Sequence, residues 1–98
     1  MHNAIIACDP QSTARLPHIA SRIFLPSDEY PHWIALEPRG DRLVITGYGA
    51  LAPWVRFATI DRRTGMLRLE RAKIDFTRAW PDGWHGSAIA HGAVFSNP

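Results

Sequence analysis

Short apolar runs recur along this chain, and turn signals separate them. The clearest runs are Pro31 to Leu36, Leu43 to Gly47, Trp54 to Ile60 and Leu67 to Glu70. Their period is near two and each is too short for an ordinary helix, so the pattern predicts four β-strands. Glu37-Pro38-Arg39-Gly40-Asp41 lies between the first two runs. It sets Pro where φ is fixed and Gly where φ can turn positive, the chemistry of a tight reversal. Asp61-Arg62-Arg63-Thr64-Gly65 lies between the last two, with Gly closing a loop of hairpin length.

The faces of these strands differ. Trp33 and Ala35 oppose Ile34 and Leu36, and Leu43 and Ile45 oppose Val44 and Thr46, so the first two strands are apolar on both sides. Such strands are expected to be covered on both faces. The third is mixed, with Val55, Phe57 and Thr59 against Arg56, Ala58 and Ile60. The fourth alternates, Leu67 and Leu69 against Arg68 and Glu70, and can meet water on one side. A sheet that grades from sandwiched to half-wet is what a propeller blade predicts, because its inner strands are clamped between neighbouring blades while the last forms the rim. A two-layer sandwich would leave one wet face on nearly every strand.

The flanks extend the same reading. His2 to Ala7 is a short apolar strand ended by Asp9-Pro10. Arg15 to Leu25 has an ambiguous period, but Pro17 and the bounding Pro26-Ser27-Asp28 favour an extended, edge-like segment. Ala88 to Ser96 is apolar again. A weak echo links Pro31-His32-Trp33-Ile34-Ala35-Leu36 to Ala90-His91-Gly92-Ala93-Val94-Phe95, 59 residues apart. That exceeds the roughly 40–50 of propeller repeats, and a loop around Trp80-Pro81-Asp82-Gly83-Trp84 accounts for the excess. The expected fold is all-β, an antiparallel β-meander of about seven strands forming a partial β-propeller: one full blade plus parts of two neighbours. Residues 1–25 supply the outer strands of a preceding blade, 31–75 the complete blade, and 88–96 the inner strand of a following blade.

The run P-H-W-I-A-L-E-P-R-G-D-R-L-V-I-T-G, followed by I-D-R-R-T-G-M-L, resembles blades of the YVTN-type, lactonase-like seven-bladed β-propellers, a superfamily that includes the selenium-binding, methanethiol oxidase-like proteins. The resemblance covers about Pro31 to Leu69. Val44-Ile45-Thr46-Gly47 stands where the eponymous tetrapeptide falls and departs from it at the first and last residues. The resemblance implies a blade and leaves the activity open. It points to a ligand- or protein-binding propeller segment without catalysis of its own. The alternative is a fragment of a propeller enzyme, either a metal-dependent oxidase of the selenium-binding type or a lactonase.

Composition narrows the setting. Ninety-eight residues, 46% hydrophobic and 20% charged, make one modest globular domain. A propeller needs at least four blades, so this length supplies only about one and a half. The expectation is therefore a fragment, or a part that assembles with copies of itself. The sole cysteine, Cys8, excludes an internal disulfide. Ile5-Ile6-Ala7-Cys8 resembles a lipoprotein box, yet no positive charge precedes it and the apolar run is short for a signal peptide. No run approaches the roughly 20 apolar residues of a membrane helix. With no address in the sequence, the default compartment is cytoplasmic, and it is unassigned if an N-terminal signal is missing. The net charge is +2, and ten of the eleven basic residues are arginine. They are scattered among apolar positions and form no run, so nucleic-acid binding is not expected. The expected partners are other propeller blades, or self-association through blade faces, with a small ligand compatible.

The chemistry-bearing residues form few patterns. Gly47-Tyr48-Gly49-Ala50-Leu51-Ala52 fits the loose dinucleotide fingerprint, but Pro53 and the strand-like residues after it deny the helix that fingerprint requires. His32 and His91 occupy equivalent places in the echo, and His85 precedes the second of them. Histidines converging at a channel mouth would suit a transition metal, whereas the more ordinary role is bonding backbone at a strand entry. Trp80 and Trp84 would offer an aromatic platform for a ligand, or would pack their loop on the sheet. No cofactor is expected unless that metal is bound. No nucleophile elbow, phosphate loop or zinc-helix motif occurs.

Overall fold

A computed structural model describes residues 4–9, 18–26, 29–47, 54–76, 90 and 92–96. The architecture is all-β and antiparallel. Its strands are β1 (Ala4–Asp9), β2 (His18–Phe24), β3 (Pro31–Leu36), β4 (Arg42–Gly47), β5 (Trp54–Asp61) and β6 (Met66–Asp75). β1 and β2 form a two-stranded sheet, and β3-β4-β5-β6 form a four-stranded meander in chain order. Among the described residues no helix is long and apolar enough to cross a membrane.

The hairpins close where the turn residues demand. Gly40 takes φ of 81° and Gly65 φ of 76°, a region that L side chains enter only with strain. The β3–β4 turn is tied by the Gly40 amide donating to the Glu37 carbonyl at 2.9 Å. In the β5–β6 turn the Thr64 and Gly65 amides both donate to the Asp61 carbonyl, at 3.2 and 2.7 Å. The Asp61 carboxylate accepts from the Arg63 amide at 2.9 Å. That bond favours the ionised carboxyl and holds its pKa below the ordinary value.

The two sheets stack face to face. Ile5 and Leu25, from β1 and the end of the β2 segment, meet Leu43, Ile45, Trp54, Ala58 and Leu67 in one buried cluster. Register explains the choice of residues. Leu43 lies opposite Ala58 and Ile45 opposite Arg56, while Ala58 pairs with Leu69 and Ile60 with Leu67. These residues alternate onto the face turned toward β1 and β2. β2 lies along β6, and a polar bond fixes the alignment: the Ser21 hydroxyl donates to the Gly65 carbonyl at 2.5 Å and accepts from the Leu67 amide at 3.0 Å.

Gly65 is thus constrained twice, by its positive φ and by β2. A Cβ built there would sit 3.0 Å from the Ala20 Cβ. Gly65→Ala is expected to destabilise the fold by about 2 kcal/mol, the combined cost of left-handed backbone and a forced shift at the joint between sheets. Urea unfolding at fixed temperature checks this, and an unchanged midpoint would refute it.

Two expectations are corrected. The first concerns coverage. β4 is buried on both faces, with Leu43 at 7% exposure, Val44 at 4% and Ile45 at 0%. β3 is not: Trp33, Ile34 and Leu36 are 44%, 49% and 52% exposed. β3 is the edge of its sheet, so hydrogen bonding encloses it on one side only, and the facing sheet is two strands wide against four.

The second correction concerns 88–96, expected as an inner strand. Residues 90 and 92–96 belong to no strand, and 88, 89 and 91 lie outside the described residues. The physical reason is what this segment meets. The Ala93 carbonyl accepts from the Trp33 indole at 2.9 Å rather than from a ladder amide. Gly92 lies flat on the same indole, where a Cβ would stand 3.3 Å from the ring. A side-chain bond and a ring contact hold this segment to β3.

Candidate functional site

An apolar groove lies between the sheets. Ile5, Ile6 and Ala7 of β1 form one wall, and Ile34 and Leu36 of β3 form the other. Leu43, Ile60 and Leu67 make the floor, around a volume of about 400 Å³. The groove exists because of strand count. β2 lies along β6, leaving β1 to end its sheet above the β3 side of the meander. Ile34 pairs with Ile45 and Leu36 with Leu43, so alternation sends both side chains toward the face that β1 only partly covers. No charged side chain among the described residues lines this space, which suits it to apolar contact.

Charged groups cluster elsewhere. Glu29, in the crossing from β2 to β3, is only 5% exposed. Its carboxylate takes a two-pronged contact from the Arg56 guanidinium at 2.7 and 2.9 Å, and Lys73 stands 3.6 Å from the other side. On the opposite face Arg42 reaches across β5 to Glu70 at 2.8 and 3.0 Å, its guanidinium 4.3 Å from the Phe57 ring centre. That pairing raises the Arg42 pKa. Beside the first hairpin, the protonated Glu37 carboxyl donates to the Asp41 carboxylate, which raises the Glu37 pKa, with burial acting in the same direction. These pairings satisfy the charge of Glu29, Arg56, Arg42 and Glu70 within the fold.

Of the residues singled out from sequence, His32 is described. It is exposed at the start of β3, next to the register shift between Pro31 and Trp33. His85, His91, Trp80 and Trp84 lie outside the described residues, so no spatial relation among the four and His32 is on view. Among the described residues no three His, Cys, Asp or Glu side chains gather to hold a metal. Trp54 is 3% exposed and belongs to the core.

Sequence reasoning missed Glu29 and the groove. The signal for Glu29 was slight, the second of two adjacent acidic residues in a short connector. The groove had a clearer one: β1 and β3 are uncharged from Ala4 to Cys8 and, His32 apart, from Pro31 to Leu36, whereas β6 carries Arg68, Glu70, Arg71, Lys73 and Asp75.

No protein-family model matches this sequence, and no curated protein or solved structure is similar enough to count as a match.

Proposed function

We propose that this chain is a binding module built on a blade-like sheet, with no catalysis of its own, and that the groove between β1 and β3 is its docking face. The observation that carries the reading is the groove itself: an uncharged wall on each side, a floor continuous with the core, and half-exposed Ile6, Ile34 and Leu36 along its rim. Soluble proteins rarely expose contiguous apolar surface without a use for it.

The propeller reading fits the same facts. The meander has the strand order of one blade. The smaller sheet stacks on it with β2 along β6, as the outer strand of one blade lies along the outer strand of the next. On that view the groove is where the inner strands of an adjoining blade would sit. A place in the YVTN-type, lactonase-like superfamily accounts for both features.

An environment-sensitive apolar dye, added to dilute protein, tests the docking face. Emission is expected to rise with the wild type and to fall by more than half in Ile34→Lys and in Ile6→Lys. Dye binding that ignores both substitutions would overturn the assignment of this groove.

A further inference from the structure

We infer that the occupant of the groove is a second copy of this chain, related by a two-fold axis that sets β3 of one protomer antiparallel to β3 of its partner. The inference rests on the groove being a docking face and adds what docks there.

Three observations lead to it. Among the described residues no strand pairs with the outer edges of β1 and β3, which flank one groove and so open on the same side of the molecule. A single contact therefore closes both. The edges are also chemically distinct from the others. β6, the far edge of the meander, carries five charged residues from Arg68 to Asp75, and β2 carries Arg22. Charge on an edge strand is a means of keeping other sheets away. Apart from His32, β3 has no acidic or basic residue, and β1 has no Asp, Glu, Lys, Arg or His before Asp9. The two edges that lack protection are the two that share a groove.

The third observation is the match of surface to itself. A partner for this groove must bring an uncharged strand with apolar side chains, because a buried charge without a counter-ion there is costly. β3, with Ile34 and Leu36 each about half exposed, is such a strand. A two-fold contact presents the same patch from both sides, and identical strands meeting across it run antiparallel. Ile5, Leu43 and Leu67 belong to both the groove and the core cluster. The partner's side chains would thus extend an interface that the fold already has. Trp33 leaves the groove open, since it alternates to the other face of β3, where residues 92 and 93 meet it.

Sedimentation equilibrium of the full chain, from micromolar to near-millimolar concentration, tests the inference. The expected result is a monomer passing to a species of twice the mass. Ile34→Lys and Leu36→Lys are expected to weaken that association by at least about a hundredfold. Ile74→Lys, at an exposed apolar residue of β6, is expected to leave it intact. If a lysine variant fails to fold, amide exchange on the wild type decides: the amides of Trp33 to Leu36 are expected to slow as concentration rises. A wild type that stays monomeric throughout, a mass that grows without limit, or a dimer indifferent to both lysines would each overturn the inference. Dye bound by a strictly monomeric wild type and lost in Ile34→Lys would keep the docking face and remove only its proposed occupant.

Discussion

Glu29→Met is expected to destabilise the fold by about 3 kcal/mol, one of the two largest effects of any single substitution considered. The reason lies in what is left behind. Arg56 has a side chain only 12% exposed, and its guanidinium is held by both oxygens of Glu29. With the carboxylate gone, a permanent cation stays largely out of water with no counter-ion, beside Lys73. Arginine cannot shed its proton to escape, so the whole desolvation cost falls on the fold. Lys73 is 39% exposed and rotates into solvent, which confines the penalty to Arg56.

The second arm of that experiment separates the pair from its members. Glu29→Met combined with Arg56→Met removes both charges and leaves two side chains of suitable length. It is expected to recover most of the lost stability, since exchanging a buried ion pair for apolar residues is often close to neutral. Urea unfolding of the wild type, both single variants and the double variant gives the coupling directly. A loss below about 1 kcal/mol for Glu29→Met would mean that water reaches Arg56 and that the pair is a surface one.

Glu29 also shows where the sequence ceases to inform. The four strands of the meander and the turns at Gly40 and Gly65 were legible, because period-two apolar runs and turn glycines are local signals read within a few residues. The pairing of β1 with β2 was partly legible, through the prolines bounding the second segment. Coverage was not local. Ile34 and Val44 look alike in sequence, each flanked by apolar neighbours, yet one is 49% exposed and the other 4%. The difference is which strand ends the sheet and how wide the facing sheet is, and both are set by residues far away in the chain. Glu29 and Arg56 are 27 positions apart, and nothing near either announces the other. The segment 92–96 failed as a strand for a related reason. Apolar composition supplies the side chains of a strand, but a ladder also needs an edge that accepts it, and here Trp33 took the Ala93 carbonyl instead. For the site, the histidine and tryptophan expectations beyond His32 fall outside the described residues. The uncharged character of β1 and β3 was visible from the start, and its meaning emerged only when both strands were seen to flank one groove.

Ile45→Ala is expected to cost about 3 to 4 kcal/mol, as much as or more than the loss of Glu29. Ile45 has no exposed surface and sits on the central strand pair, opposite Ile34 on one side and Arg56 on the other. It belongs to the cluster through which β1 and β2 adhere to the meander. Truncation removes three carbon atoms and leaves a void that backbone hydrogen bonds on both sides keep from collapsing, which places the cost in the upper half of the usual range. The same change at Ile34 provides the comparison. Ile34→Ala removes the same atoms from a half-exposed position at the sheet edge, so it is expected to cost less than about 1 kcal/mol in the monomer. Urea unfolding in dilute solution measures both. A ratio near one between the two losses would show that β3 is as enclosed as β4, and the open groove would then have no place in this protein.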